Sequence, residues 1–197
     1  MDSRIGQEVG YFIKPKTGRN QSFETVLGIL AISYNHPIVM VETGCIRNTT
    51  EESRYGDGWS TLNWEWFAKL THSSVYVVDI DENHLLKSKE IVEESEYVTY
   101  KKQDSVEFLQ NFHRKIDFLF LDSYDYCGDE ENIDKCHQHQ LNEVKAVWDK
   151  LNERCFILID DIFDEEWQGK GKLSIPYLIE NGFRVLYFMD NQVLLIR

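Results

Sequence analysis

From Pro37 onward the chain alternates short apolar runs with amphipathic segments, and few folds accept that order. Ile38–Glu42, Val75–Asp79, Tyr97–Lys101, Ile116–Leu121 and Cys155–Asp160 read as strands. Ser60–Leu70, Glu82–Glu94, Ser105–Phe112 and Gln138–Asn152 alternate with them as helices. Phe118, Leu119, Phe120 and Leu121 are apolar in succession, the pattern of a parallel strand covered on both faces. Helix Leu173–Glu180 follows the fifth strand and stops at Asn181-Gly182. The last two runs, Phe183–Met189 and Val193–Arg197, are joined only by Asp190-Asn191-Gln192, so they must pair antiparallel. Right-handed crossovers make this a Rossmann-like, doubly wound α/β sheet of seven strands. It is mostly parallel, ends in an antiparallel β-hairpin, and places its ligand cleft at the strands' C-terminal ends.

Upstream, Gln21–Tyr34 reads as a helix with Phe23, Val26, Leu27, Leu30 and Ala31 at helical spacing, and residues 1–20 as a polar arm. Ser60 is the expected cap of its helix, with Leu62, Trp66 and Leu70 on one face. Leu141, Val144, Trp148 and Leu151 form the expected stripe of the fourth crossover helix.

The 197 residues suit one domain, with 1–36 as its arm and first helix. Net charge is -13, from 21 basic against 34 acidic residues, which argues against a nucleic-acid partner. No apolar run approaches the roughly 20 residues of a membrane span, and no secretory signal opens the sequence. Cys45, Cys127, Cys136 and Cys155 form no regular framework, so a cytoplasmic setting is expected. Cys127, Cys136, His137 and His139 fit no common zinc spacing. The polar arm leaves room for a homo-oligomer formed by exchange.

Functional side chains in such a sheet cluster just beyond each strand. Glu42-Thr43-Gly44 follows the first, and Gly56-Asp57-Gly58-Trp59-Ser60-Thr61 opens the next helix. Glycines there permit tight turns and close approach of backbone N–H groups to a ligand. Asp79 ends the second strand, where a carboxylate can accept ribose hydroxyls, and Asp104-Ser105 follows the third. Asp122 ends the fourth strand and Asp160-Asp161 the fifth. Three carboxylates at one cleft repel unless a cation sits among them, and hard oxygens suit magnesium, calcium or manganese.

At these residues the sequence resembles class I S-adenosylmethionine-dependent methyltransferases over roughly residues 38–197, terminal hairpin included. It looks most like the metal-dependent O-methyltransferases of the catechol and macrocin types. The resemblance implies S-adenosylmethionine as cofactor. Glu42, Gly44 and Gly58 would surround its methionine part, with Ser60 and Thr61 behind them; Asp79 would take the ribose and Asp104 and Ser105 the adenine. It implies Mg2+ held by Asp122, Asp160 and Asp161. Two departures stand out. Cys45–Asp57 separates the two glycine motifs, and no lysine base follows Asp122.

The expected reaction is methyl transfer to a hydroxyl of a small molecule, a sugar or natural product. His137, His139 and Tyr124 are the candidate proton acceptors, with Glu143 one turn beyond His139 to orient it. Lys170 and Lys172, in Gly169-Lys170-Gly171-Lys172, read as a solvated loop that could otherwise meet an anionic substrate. A non-catalytic methyltransferase-like binding domain is the alternative. A dinucleotide-dependent oxidoreductase fits less well, because no compact GxGxxG is present.

Overall fold

The computed structural model describes residues 18–197, so the expected polar arm lies almost wholly outside the described residues. The elements are α1 (Asn20–Ser33), β1 (Val39–Thr43), α2 (Glu51–Asp57), α3 (Ser60–Thr71), β2 (Ser74–Asp79), α4 (Glu82–Val92) and β3 (Val98–Lys102). They continue with α5 (Ser105–Gln110), β4 (Ile116–Leu121), α6 (Glu130–Val147), β5 (Leu151–Ile159), α7 (Ser174–Glu180), β6 (Arg184–Met189) and β7 (Gln192–Ile196). The strands form one seven-stranded sheet in the order β3-β2-β1-β4-β5-β7-β6. β1 to β5 are parallel; β7 runs antiparallel to both β5 and β6. The expected α/β architecture and its terminal hairpin are both present.

Strand periodicity divides the core in two. Met40, Phe118, Phe120, Phe156 and Leu158 face α1 and α3, where they meet Phe23, Leu27, Trp64 and Phe67. The Trp64 ring lies 5.0 to 5.4 Å from those of Phe23, Phe118 and Phe120, all edge-on. Val39, Val41, Leu119, Leu121, Ile157 and Ile159 face the other way, against Val144 and Val147 of α6 and Leu178 of α7. The edge strand β3 is polar and carries Lys101 and Lys102, which discourages pairing with another sheet. Asp190 and Asn191 are both left-handed, as a two-residue hairpin turn requires.

Four local expectations are corrected. Ser60 does not cap α3; its hydroxyl points instead to Glu42, and Trp59 holds the cap position without a side-chain bond. The buried side of α3 carries Trp64, Phe67 and Ala68, while Leu62, Trp66 and Leu70 are only half-buried. The excursion after Gly44 contains α2, capped by the Thr50 side chain on the Ser53 N–H. The crossover helix starts at Glu130 rather than Gln138, capped by Asp129, and ends at Val147. Its buried side is Cys136, His137, Gln140, Glu143, Val144 and Val147, so Trp148 and Leu151 fall beyond it. Among the described residues no helix is long and apolar enough to cross a membrane.

Candidate functional site

Order reverses between β1 and β4, and in an open α/β sheet that is where a ligand crevice forms. A cavity of about 320 Å³ lies there. Gly44, Asp79, Asp104, Ser105 and Asp122 line it, joined by Cys45, Ile80, Ser123, Tyr124 and His139. A second cavity of about 150 Å³ adjoins it, lined by Arg19, Trp59, Ser60 and Asp161. Cys45, Arg47 and Asp122 line both. A larger hollow of about 860 Å³ lies around Tyr34 and Trp148, at the end of the sheet where the parallel strands β4 and β5 begin.

Gly44 leaves β1 with φ +80, donating its N–H to the Val78 carbonyl at 2.9 Å. A Cβ there would lie 2.5 Å from the Asp122 carbonyl oxygen, so only glycine lets the β1 and β4 turns meet. Asp79 is nearly buried. It accepts the Asp81 N–H at 2.8 Å, with Cys45 Sγ 3.4 Å and His84 Nδ1 3.3 Å away. Asp104 caps α5 on the Glu107 N–H at 3.0 Å. Ser105 Oγ is 2.9 Å from His139 Nε2, and the Tyr124 ring lies 5.4 Å from that imidazole.

Glu42 lies beneath the cavities, fully buried, accepting from Ser60 Oγ and leaving Oε2 unpartnered. Burial pushes its carboxyl up to about 8. Its ordinary value is 4.5, so the folded form keeps a proton that the unfolded chain loses between those limits. Stability therefore falls as pH rises through that window. Glu42→Gln is expected to flatten the dependence of Tm on pH and to overtake the wild type near pH 8. Thermal melts at pH 5 and 8 check this; an unchanged slope in the variant would place the titrating group elsewhere.

Not every expected residue reaches the cavities. Gly58 turns the chain from α2 into α3, and a Cβ on it would strike the Phe23 ring at 2.8 Å. Thr61 is buried behind Glu42, its hydroxyl unpartnered. His137 is buried on α6, away from both cavities, with its ring 5.6 Å from that of Tyr126. Burial, with Lys172 nearby, lowers its pKa. Burial acts the same way on His139, but Glu143 and Asp104 outweigh it and raise the pKa. Glu143 is fully buried, 3.7 Å from His139 Nε2, and accepts from Ser123 Oγ at 2.6 Å.

Asp122, Asp160 and Asp161 come together as expected, but the cation among them is not a metal position. Lys170 Nζ stands 2.6 Å from Asp122 Oδ1 and 3.1 Å from Asp161 Oδ2. Arg19 Nε lies 2.8 Å from Asp160, and its Nη2 lies 3.1 Å from Asp161 Oδ1. Lys170 is only 2% exposed, which corrects the solvated-loop reading. A divalent ion needs several oxygens free to converge at short range. Here those oxygens already bind an ammonium and a guanidinium. Among the described residues no group of His, Cys, Asp or Glu is arranged to hold a metal, and the carboxylates do not fit Mg2+. Sequence reasoning missed Arg19, which lay in the polar arm; the one available signal for Lys170 was its pair of flanking glycines.

A family described as a methyltransferase domain matches residues 55–162, more than half of the chain. No curated protein sequence matches significantly. Several solved structures share the fold at low identity. The SAH-bound methyltransferase PaMTH1 of Podospora anserina superposes with a TM-score of 0.61 at 14% identity, over 97% of this chain and 86% of that one. The N-methyltransferase NodS of Bradyrhizobium japonicum WM9, in complex with S-adenosyl-L-homocysteine, gives 0.58 at 10%, over 98% and 96%. The magnesium protoporphyrin IX methyltransferase of Synechocystis PCC 6803, with bound SAH, gives 0.56 at 15%, over 91% and 83%. The chain belongs to the methyltransferase-domain family and is built on the class I fold of S-adenosylmethionine-dependent methyltransferases.

Proposed function

We propose that the chain, working as one domain, methylates a hydroxyl of a small molecule with S-adenosylmethionine as donor. The carrying observation is that residues following β1, β2, β3 and β4 converge on one cavity at the switch point. Asp79 takes the ribose hydroxyls, which its second oxygen can accept beside Cys45 and His84. Asp104 and Ser105 meet the adenine edge, and the exposed Ile80 side chain covers the ring face. Gly44 admits the methionine part toward Ser60 in the smaller cavity.

When bound, the cofactor supplies a methyl group on an electrophilic sulfonium. The chain supplies placement and a proton acceptor. Asp122 is the carboxylate common to both cavities, and burial raises its pKa toward that of a useful base. It would take the acceptor's hydroxyl proton while the acceptor oxygen displaces S-adenosylhomocysteine from the methyl carbon. His139 bonds Ser105 and so stands on the adenine side, His137 is remote, and Tyr124 is at the mouth. Trp59, Tyr124 and Asp161 all hold left-handed backbone around the cavities, at a cost of about 1 kcal/mol or more each. Such strain gathers where geometry serves a ligand.

Calorimetric titration with S-adenosylhomocysteine tests this reading. The expected result is one-to-one binding with a micromolar Kd and no heat with NADH. NADH binding alone would establish the dinucleotide reading, and no binding of either would favour a non-catalytic domain.

A further inference from the structure

We propose that the segment Gly169-Lys170-Gly171, with Arg19, is a built-in cation centre that takes the place of a divalent metal, so that cofactor binding and methyl transfer need none. The functional half of this statement rests on the methyltransferase reading above. The structural half stands on the loop itself.

The loop is shaped to deliver one ammonium group. Lys170 Nζ has three protons, and three acceptors face it: Asp122 Oδ1 at 2.6 Å, Asp161 Oδ2 at 3.1 Å and the Asp122 carbonyl at 3.5 Å. The backbone is tied to the same residues, since Lys170 N–H donates to the Asp161 carbonyl at 3.1 Å. Ile162 and Gly169 pair as an antiparallel bridge, closing a short loop that returns the chain to the end of β5. Gly169 has φ +114, and a Cβ on it would sit 1.9 Å from the Asp161 oxygen. A Cβ on Gly171 would lie 2.5 and 2.6 Å from the Ile175 and Ile162 methyls. Gly169 is therefore required by the close return that buries the lysine, and a side chain at Gly171 would have to push Ile175 and Ile162 aside.

Arg19 completes the arrangement from the other side. Its Nε binds Asp160, its Nη2 binds Asp161, and its Nη1 reaches the Gly56 carbonyl of α2. Two fixed cations thus hold three carboxylates contributed by two strand ends. An exposed lysine would exchange with ions freely. Lys170 cannot, because its ammonium is buried against the partly exposed Asp122 and Asp161, and leaving would strip both of their countercharge. The centre also carries its own specificity. It holds Asp122 at the junction of the two cavities without needing an ion from solution.

The test is Mn2+ binding by electron paramagnetic resonance, with thermal melts in chelator and in millimolar Mg2+. The wild type is expected to bind no stoichiometric Mn2+ and to melt identically in both buffers. Lys170→Met, which keeps the side chain's length, is expected to melt roughly 10 °C lower. It should also gain an Mn2+ site that Asp161→Asn removes. Lys170→Arg, which restores a cation, should bind no Mn2+. Stoichiometric Mn2+ on the wild type that Asp161→Asn abolishes would overturn the proposal, with or without a folded lysine variant. The same calorimetric Kd for S-adenosylhomocysteine in chelator and in Mg2+ is expected; a Kd raised tenfold or more by chelator would also overturn it. Failure of the cofactor to bind at all would strike the methyltransferase reading and leave the Mn2+ result standing.

Discussion

Gly44→Ala is expected to abolish measurable S-adenosylhomocysteine binding and to lower Tm by roughly 10 °C. The new Cβ would lie 2.5 Å from the Asp122 carbonyl oxygen and 2.9 Å from its carbon, with no flexible side chain to yield. The backbone also holds φ +80 there, which alanine adopts at a cost. Relief requires β1 and β4 to part at the point where Asp122 N–H donates to the Thr43 carbonyl at 3.0 Å. That motion displaces Asp122 and the cavity floor together. Gly28→Ala is the control. It lies inside α1, its Cβ meets nothing within 4 Å, and the variant should gain a little stability, about 0.5–1 kcal/mol. A Gly44→Ala protein that melts and binds like the wild type would remove this turn from the site.

Asp79→Ala is expected to weaken S-adenosylhomocysteine about a hundredfold while leaving Tm within a few degrees. Hydrogen bonds to a charged acceptor contribute about 1.5–3 kcal/mol each, and two ribose hydroxyls reach this carboxylate in the proposed pose. The structural loss is smaller, because the carboxylate's backbone bond is the one from Asp81, at the exposed start of α4. Calorimetry and melts on the same preparations separate the two effects. An unchanged Kd would show that the ribose does not lie on β2.

The fold was legible because its dominant signal was periodic. Phe118 to Leu121 alternate between the two cores, and each neighbour across the sheet does the same. The start of α6 was hidden for the opposite reason. Its buried side includes Cys136, His137, Gln140 and Glu143, so apolar spacing appears only in its last turns. The Asp129 cap followed by Glu130-Glu131 was the better signal. Helix α2 is polar and short, set by the Thr50 cap rather than by an apolar stripe. At the site, strand-end positions were readable for Gly44, Asp79, Asp104, Ser105 and Asp122, since topology alone brings those positions together. The countercharge was not. Lysine is almost never fully buried unless paired, and its partners lie 48 and 9 residues away in sequence.

The position of β7 bears on how the protein comes into being. Gln192–Ile196 is made after every other strand, yet it slots between β5 and β6 and is buried throughout. A growing chain that has released β6 from the ribosome still presents the bare edge of β5. Its β6 has no neighbour, and α1 already waits for Tyr187 and Asp190 to receive Ser22. Sheet closure is therefore a late step, taken only once β7 is available to join β5 to β6. Until it happens, the nascent protein offers an apolar strand edge to other chains.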